Sequence, residues 1–399
     1  MSLVQTLTLN EACEFIVDCL HNTAPIQDDG YPSIRTPNIG KGRLLLDGVN
    51  RVSEETYQIW TQRAIPEIGD LILAREAPAG NVAVVKEGEK VCLGQRTVHL
   101  RPNRKVVDPD FLCYFLLAPP QQGKLLAAET GATAKHVNML DIRRLGLPNL
   151  PLLTSQRKVG EILATYDDLL ENNRRRMALL EESARLLYRE WFVRLRFPGY
   201  EHTPIVDGVP QGWKQTTLSD LCTEVRDMVL PEALDPDTPY IGLEHIPRRS
   251  ISLNEWGMAA QVTSSKSRFK AGEIIFGKIR PYFHKVGVAF VDGVASSDSI
   301  VIRPSEDSLH GLVLMTMSSD KFIATTAQQM KEGSKMPRAD WKQMKAYRVP
   351  LPPGGLLSNF DGVIQPIVAQ LKALSFANQK LRAARDLLLP RLMNGDLAV

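Results

Sequence analysis

The stretch LTSQRKVGEILATYDDLLENNRRRMALLEESARLLYREW, residues 153–191, decides the fold of this chain. Its apolar positions recur at alternating steps of four and three residues, which is the spacing of a coiled-coil seam. The pattern predicts a helix roughly 50 Å long with one apolar edge, which needs a partner helix to cover it. The seam positions are Val159, Leu163, Tyr166, Leu170, Asn173, Met177, Leu180, Ala184, Leu187 and Trp191.

A second stretch with the same spacing lies near the end of the chain, VIQPIVAQLKALSFANQKLRAARDLLLPRL, residues 363–392. Pro366 is expected near the start of this helix, where a missing N–H costs little, and Pro390 is expected at its end. We predict that the two helices pair with each other. The seam positions of the second helix are Ile364, Ile367, Leu371, Leu374, Asn378, Leu381, Arg385 and Leu388.

Each seam carries one asparagine near its middle, Asn173 and Asn378. A single polar residue is often simply tolerated in such a seam. It can also fix the alignment of the helices, because other registers leave its amide without a partner. The sequence alone leaves both explanations open.

The rest of the chain is a repeat. The segment VHLRPN, with Arg101, returns 202 residues later as IVIRPS, with Arg303. IGDLILAREAP returns as AGEIIFGKIRP, and TLNEAC returns as TLSDLC. Short apolar alternations separated by Gly, Pro and Asn turns predict strands in both copies. Each half is therefore expected to be a mixed module of roughly 150 residues followed by one seam helix.

We predict an α+β fold with a pseudo-twofold internal repeat, in which two tandem mixed α/β domains are separated by two long helices that form an antiparallel coiled coil. The expected division is a first domain at residues 1–152, a central spacer helix at 153–196, a linker and second domain at 197–355, and a C-terminal spacer helix at 356–399.

Composition excludes several classes of protein. The chain has 399 residues and a net charge of +3, which is only mildly basic. No apolar run approaches the roughly 18 residues of a membrane span, and the N-terminus does not have the pattern of a signal peptide. Five cysteines without a C-x-x-C pair suggest neither a disulfide framework nor a zinc site. A reducing cytoplasm is the expected location.

Motifs for catalysis are missing as well. NIGKGR, residues 38–43, contains glycines but lacks the spacing of a phosphate-binding loop. There is no Asn-Pro-Pro-aromatic tetrad for adenine methylation and no G-x-S-x-G motif. The seven histidines are scattered and do not have the spacing of a metal site. We therefore expect no catalytic residues and no metal ligands on this chain.

Basic, polar and aromatic residues gather instead between the predicted strands. Lys and Arg neutralise phosphates, and polar side chains can read base edges. Solvated surface is the plainer explanation for any single one of them. Three groups occur at repeat-matched places: Arg75 with Lys278 and Arg280, Lys135–His136 with Lys335–Arg338, and Arg35–Asn38 with Glu244–His245. The candidate DNA-binding residues are Arg35, Asn38, Lys41, Arg43, Arg75, Lys135, His136, His245, Arg248, Lys278, Arg280, Tyr282, His284, Lys335 and Arg338.

The stretch from LPNLPLLTSQRKVGEIL to YREWF and the closing LLLPRLMNGDL resemble the specificity subunit of type I restriction–modification systems, and the resemblance covers essentially the whole chain. It implies two target-recognition domains, each reading one half of a bipartite DNA target with a fixed nonspecific gap. The family's specificity subunit is not an enzyme by itself. The chain departs from the pattern in its second helix, which is expected to be shorter and lacks the Arg174–Arg176 and Trp191-Phe192 segments of the first.

The resemblance also implies partners. Two modification subunits would bring S-adenosylmethionine and methylate adenine, and motor–nuclease restriction subunits that use ATP and Mg²⁺ would join them for cleavage. Such a complex would serve in defence against phage. No cofactor is expected on this chain itself.

Two other interpretations remain at this level. The chain could be a coiled-coil scaffold whose two modules bind proteins, in which case an assembled complex would show no DNA sequence preference. It could also be an enzyme with an unfamiliar site, in which case the single chain would methylate or cut DNA unaided.

Overall fold

The computed structural model describes residues 6–20, 22–76, 78–130, 136–329 and 337–397. Contacts divide the chain into two units, one formed by Met1–Asn172 with Lys380–Val399 and the other by Asn173–Gln379. Each unit holds one of the two modules and a part of both long helices. The predicted domains followed chain order, whereas the units cut through both helices, because each helix packs on different modules along its length.

In the first module three of the predicted apolar alternations form strands, at Leu71–Ala74, Val82–Val84 and Thr97–Pro102. Its strands and helices are β1 (Leu7–Thr8), α1 (Leu9–Ala12), β2 (Cys13–Asp18), β3 (Tyr31–Ile34), β4 (Gly42–Arg43), β5 (Arg51–Val52), α2 (Glu54–Trp60), β6 (Leu71–Ala74), β7 (Val82–Val84), β8 (Cys92–Leu93), β9 (Thr97–Pro102), α3 (Pro109–Leu117), α4 (Pro119–Ala127), β10 (Glu129–Thr130), β11 (His136–Val137), α5 (Met139–Arg144) and β12 (Gly146–Leu147).

The main sheet of this module has the order β2-β9-β6-β7-β4 and is antiparallel except for the parallel pair β4 and β7. A smaller sheet has the order β5-β3-β8. Strands β6 and β7 are buried throughout, so the main sheet is covered on both faces. Helix α3 packs on one of these faces and carries Phe111 and Leu112 into the core.

The second module has the elements that the repeat predicts. They are β13 (Ile205–Val206), β14 (Val209–Pro210), β15 (Lys214–Thr217), α7 (Leu218–Leu221), β16 (Cys222–Val225), β17 (Met228–Val229), β18 (Pro239–Ile241), β19 (Ser252–Leu253), β20 (Gly257–Met258), β21 (Lys266–Phe269), β22 (Ile274–Gly277), β23 (Val286–Ala289), β24 (Gly293–Ala295), β25 (Ser299–Pro304), α8 (His310–Met317), α9 (Asp320–Gln328), α10 (Trp341–Met344) and β26 (Arg348–Leu351).

The main sheet of the second module repeats the first strand for strand. Its order is β16-β25-β22-β23-β19, again with only the last pair parallel. The repeated segments TLNEAC and TLSDLC both form a capping box followed by one helical turn and the first strand of this sheet. Gly69 and Gly272, which the repeat matches, have φ of 89° and 93°, a conformation that favours glycine. The predicted internal repeat is therefore confirmed in three dimensions.

The two long helices are α6 (Leu153–Tyr188), which continues as a π-helical turn over Arg189–Val193, and α11 (Gly354–Met393). The second helix is nearly as long as the first, since α11 has 40 residues, whereas α6 has 36 and its π-helical turn adds five. Pro366 and Pro390 both lie inside α11. Pro366 has no N–H to donate to the Gly362 carbonyl. The helix tolerates this loss because both residues face solvent, where water can donate to that carbonyl.

Within each unit the two helices pack antiparallel, as predicted. In the first unit Val159 and Leu163 of α6 share a core with Leu392 near the end of α11. In the second unit, Asn173 donates to Asn378 at 2.9 Å and the Trp191 ring lies 5.7 Å from that of Phe360. Every predicted seam position is buried or half-buried. The coiled-coil spacing thus identified the packing faces of both helices.

Candidate nucleic-acid interface

One backbone crossover recurs in both modules and brings predicted basic residues together. In the first module the Val137 amide donates to the Arg75 carbonyl at 2.9 Å, beside a β-bridge between Glu76 and His136. The sequence separation across this contact is long, so the chain must return to the end of β6 to make it. Arg75 and His136, from two separately predicted groups, therefore lie next to each other.

The second module makes the same crossover. The Ala339 amide donates to the Lys278 carbonyl at 2.9 Å, beside a β-bridge between Ile279 and Arg338. Lys278, Arg280 and Arg338 are thereby assembled at one place, and the Arg338 guanidinium pairs with Asp298 at 3.1 Å. Lys135 and Lys335 fall outside the described residues.

The loop after β22 presents a basic and aromatic surface of the second module. Arg280 is exposed, and Tyr282 retains 48% of its accessible surface. Phe283, the next residue, is half-buried. The Arg248 guanidinium lies over its ring, 3.8 Å from the ring centroid. A guanidinium held over a ring in this way is oriented yet keeps its charge.

His284, at the end of this loop, is buried. Burial and the nearby Arg249 charge lower the pKa of its imidazole from the ordinary value of 6.5. Its Nε2 lies 3.4 Å from Asp320. His284 is thus neutral near pH 7 and supports the loop from inside. His245 is half-buried, and its Nδ1 accepts from the Gly242 amide at 2.9 Å.

The candidate residues of the first module have two different placements. Arg35 and Lys41 are exposed, and the Asn38 side chain accepts the Arg35 amide at 3.0 Å within a short turn. Arg43 instead forms an ion pair of 2.5 Å with Asp168 of α6. Its charge is therefore already engaged in joining the module to the helix.

Two acidic residues of α6 anchor the modules. Buried Asp167 accepts the Tyr114 hydroxyl at 2.6 Å and Arg385 of α11 at 2.5 Å. Buried Glu181 accepts hydroxyls of Ser250 and Ser252 at 2.6 and 2.7 Å. Each module is thus held to the helices by a buried carboxylate, and in the first unit Asp168 adds an ion pair at the surface.

Comparison with known proteins identifies the family. Residues 1–182 match the family model described as the type I restriction modification DNA specificity domain. The second module repeats the sheet order and the crossover of the first. Residues 1–182 thus belong to the DNA specificity domain family of type I restriction–modification systems.

Two curated relatives match the chain over most of its length. It is 22% identical over 376 residues to the type I restriction enzyme MjaIX specificity subunit of Methanocaldococcus jannaschii, covering 88% of this chain and 83% of that one. It is 19% identical over an alignment of 445 residues to the HindI specificity subunit of Haemophilus influenzae, covering 92% and 95%. The crystal structure of the S subunit from M. genitalium shares its fold, with a TM-score of 0.62, 15% identity and 98% of both chains covered.

Sequence reasoning missed Asp167 and Glu181, although a signal was present. Each directly follows a seam residue, Tyr166 and Leu180, and these two seam residues occupy the same heptad position. A carboxylate beside the seam, repeated after two heptads, marks a face that a second element covers. The pattern does not indicate which donors it meets.

Metal-binding and membrane-spanning features would be visible in the part of the chain that the structure describes. No group of three or more His, Cys, Asp and Glu residues there could hold a metal ion. No helix among the same residues is long and apolar enough to cross a membrane. Cys13 and Cys222, which the repeat matches, are buried, and burial raises the pKa of both thiols to about 12. Neither thiol is therefore suited to act as a nucleophile near neutral pH.

Proposed function

We propose that this specificity subunit reads a bipartite DNA target, one block with each module, and that the paired helices fix the nonspecific gap between the blocks. The repeated crossover carries this proposal. It places Arg75 beside His136 in one module and Lys278 beside Arg338 in the other through equivalent backbone bonds. Two equivalent groups of basic residues are suited to bind two blocks of one DNA duplex.

The residues around the two crossovers differ, which supports the reading of two different blocks. Arg35 and Asn38 of the first module correspond to Glu244 and His245 of the second. Arg and Asn suit guanine and adenine edges in the major groove, whereas Glu accepts from cytosine. Phosphate contacts from the lysines and arginines would supply affinity without sequence preference.

The partners form part of the same proposal. Two modification subunits would bind S-adenosylmethionine and methylate adenine in the blocks, and restriction subunits with ATP and Mg²⁺ would cleave. This chain would contribute recognition and spacing, and the chemistry would take place on its partners. The exposed helix surface around Arg176 and Glu182 offers charged side chains for such docking.

A matched insertion tests the spacing role. One heptad is added to α6 between Asn172 and Asn173 and another to α11 between Gln379 and Lys380, so that contacts inside each unit are kept. Because seven helical residues rise about 10 Å, the gap should lengthen by roughly three base pairs. Methylome sequencing of cells carrying the complex reads both the blocks and the gap.

Exchange of residues 1–152 for the first module of another specificity subunit is the matched control. It should change one block and leave the gap unchanged. An unchanged gap after the double insertion would refute the spacing role, and a change in both blocks after the exchange would refute separate reading.

Charge removal tests the basic surface. Lys278→Ala and Arg280→Ala should each reduce the slope of log affinity against log salt by about one, if each residue neutralises one phosphate. Lys270→Ala in the same module is the control, since Lys270 is exposed and pairs with Asp292 at 2.9 Å. Equal salt slopes for all three variants and the wild-type complex would assign Lys278 and Arg280 to ordinary surface.

A further inference from the structure

The loop Arg280–His284 distinguishes the second module from the first. Pro281 is matched by Pro78, but the residues that follow Pro78 are Ala79 and Gly80, whereas Pro281 is followed by Tyr282, Phe283 and His284. The two loops leave equivalent strands, β6 and β22, beside equivalent crossovers. One module therefore presents a large aromatic residue where the other presents small ones.

The loop is held in a defined conformation. Its first residue donates its amide to the Pro337 carbonyl at 3.0 Å, and the Phe283 amide donates to the Arg280 carbonyl at 2.9 Å. At its other end the His284 carbonyl accepts the Arg249 amide at 3.0 Å. Arg280, His284 and Arg249 all have left-handed φ, between 50° and 56°. Non-glycine residues hold this strained conformation where surrounding contacts impose it, often at functional sites.

The tip of the loop combines an exposed ring with two cations. The Tyr282 ring meets Phe283 edge to face at 5.0 Å, which fixes its direction. The Arg248 and Arg280 guanidinium groups lie 3.8 and 5.9 Å from the Phe283 centroid. Tyrosine loses little conformational entropy when it binds, because its side chain has few rotatable bonds.

We propose that Tyr282 inserts at a base step of the target and stacks on an unstacked base, while Arg248 and Arg280 bind the flanking phosphates. This inference rests on the proposed reading of DNA by the second module. Some DNA-binding proteins insert an apolar side chain as a wedge between two stacked base pairs. The lost stacking energy is offset by the additional contacts that the opened DNA makes with the protein. An aromatic ring replaces part of that stacking directly, whatever the base.

At the matched position the first module carries Ala79 and Gly80 instead of an aromatic residue, so the two blocks of the target should differ in structure when bound. Only the block read by the second module is opened at a step. The opened base is distinct from any adenine that the methylating subunits flip, because the wedge is on this chain and leaves the base within the duplex.

Fluorescence of 2-aminopurine tests the wedge. The full complex with its modification subunits is bound to its target, after methylome sequencing has defined the two blocks. The probe base, an adenine analogue that pairs with thymine, replaces each adenine within and beside both blocks in turn, the methylated adenines excepted. We expect brightening at one step of one block, lost in Tyr282→Ala and kept in Tyr282→Phe. The affinity of Tyr282→Ala should fall roughly five- to a hundredfold.

Tyr200→Ala is the matched control, because Tyr200 is also an exposed tyrosine of the second unit, at 40% of its accessible surface. It should keep both the brightening and the affinity. A wild-type complex that prefers its target yet brightens nowhere, or a signal that persists in Tyr282→Ala, would overturn the wedge alone. A wild-type complex without preference for the target over a scrambled duplex would overturn the proposed function as well.

Discussion

The two modules share their framework and differ at its margins. Both have a main five-stranded sheet of the same order and the same crossover at the end of its third strand. Beside it lies a sheet of three strands in the first module and of five in the second. The small loop after β6 becomes the aromatic loop after β22. The two modules thus share the main sheet and the crossover. They differ in the smaller sheet and in the loop that contains several candidate DNA-binding residues.

The anchoring of the two modules also differs in its chemistry. Asp167 meets a guanidinium and a phenol, whereas Glu181 meets two serine hydroxyls and Arg185. Burial and the Asp167 charge raise the pKa of the Tyr114 hydroxyl, so this phenol remains a donor at any pH that the fold tolerates. Both carboxylates are buried and both guanidinium groups are half-buried, with 15% of the Arg385 side chain and 27% of the Arg185 side chain exposed.

The largest expected effect comes from breaking these anchors. Asp167→Ala leaves the half-buried Arg385 with only Asp386 and the buried Tyr114 hydroxyl without its acceptor, and should destabilise the first unit by about 2–4 kcal/mol. Glu181→Ala should cost the second unit about 1–3 kcal/mol, because water can reach Arg185 and the serines partly rebond. Hydrogen exchange followed by mass spectrometry reports the two units separately.

Asp168→Ala is the control for the first anchor. Asp168 is exposed and pairs only with Arg43 at the helix surface in the part of the chain described, so its loss should cost less than about 1 kcal/mol. Equal losses for Asp167→Ala and Asp168→Ala would show that the buried ion pair contributes nothing special.

A second difference lies at a buried carboxylate beside the main sheet. Asp70 accepts His99 at 2.6 Å and Arg101 at 2.8 Å, and its counterpart Glu273 accepts Arg303 at 2.6 Å. Burial opposes ionisation of Asp70, but these hydrogen bonds outweigh it and lower the pKa to about 2.

Asp70→Asn should therefore cost about 2 kcal/mol at pH 7, since a lowered folded-state pKa stabilises the fold wherever the carboxyl is ionised. That contribution is present above the unfolded value near 4 and disappears as the pH falls toward 2. Urea unfolding of wild type and variant from pH 7 to pH 3 should show the difference shrinking. Glu273→Gln serves as the matched variant in the second module, and a pH-independent difference for Asp70→Asn would contradict the assignment.

The smallest effect is expected at the asparagine pair of the second unit. Asn378→Leu leaves the Asn173 amide without its partner and should cost about 1–2 kcal/mol. Replacing both asparagines with leucine should recover this loss while admitting other helix registers or oligomers. Thermal unfolding and light scattering measure the two consequences. A double variant that stays as uniquely paired as the wild type would favour the explanation that the asparagines are merely tolerated.

Local patterns in the sequence predicted much of this architecture. Alternating steps of four and three identified the seams of α6 and α11, and period-two apolar segments identified the strands of the main sheets. The matched segments around Arg101 and Arg303 predicted the repeat. Such patterns are readable because they record which face of an element is apolar, and that depends only on the spacing of nearby residues.

The tertiary structure alone decided which polar groups meet. The sequence predicted that Arg43 binds DNA, whereas in the structure Arg43 forms an ion pair with Asp168. Likewise, no residue near Asp167 in the sequence indicates that its partner is Arg385. Pro366 was expected near the start of α11 and Pro390 at its end, but the helix runs from Gly354 to Met393 and includes both. Pro366 is tolerated there because water can donate to the carbonyl that it leaves unpaired. The partner of a buried charge and the tolerance of a helix for proline both depend on what the completed fold places nearby, which residue spacing does not contain.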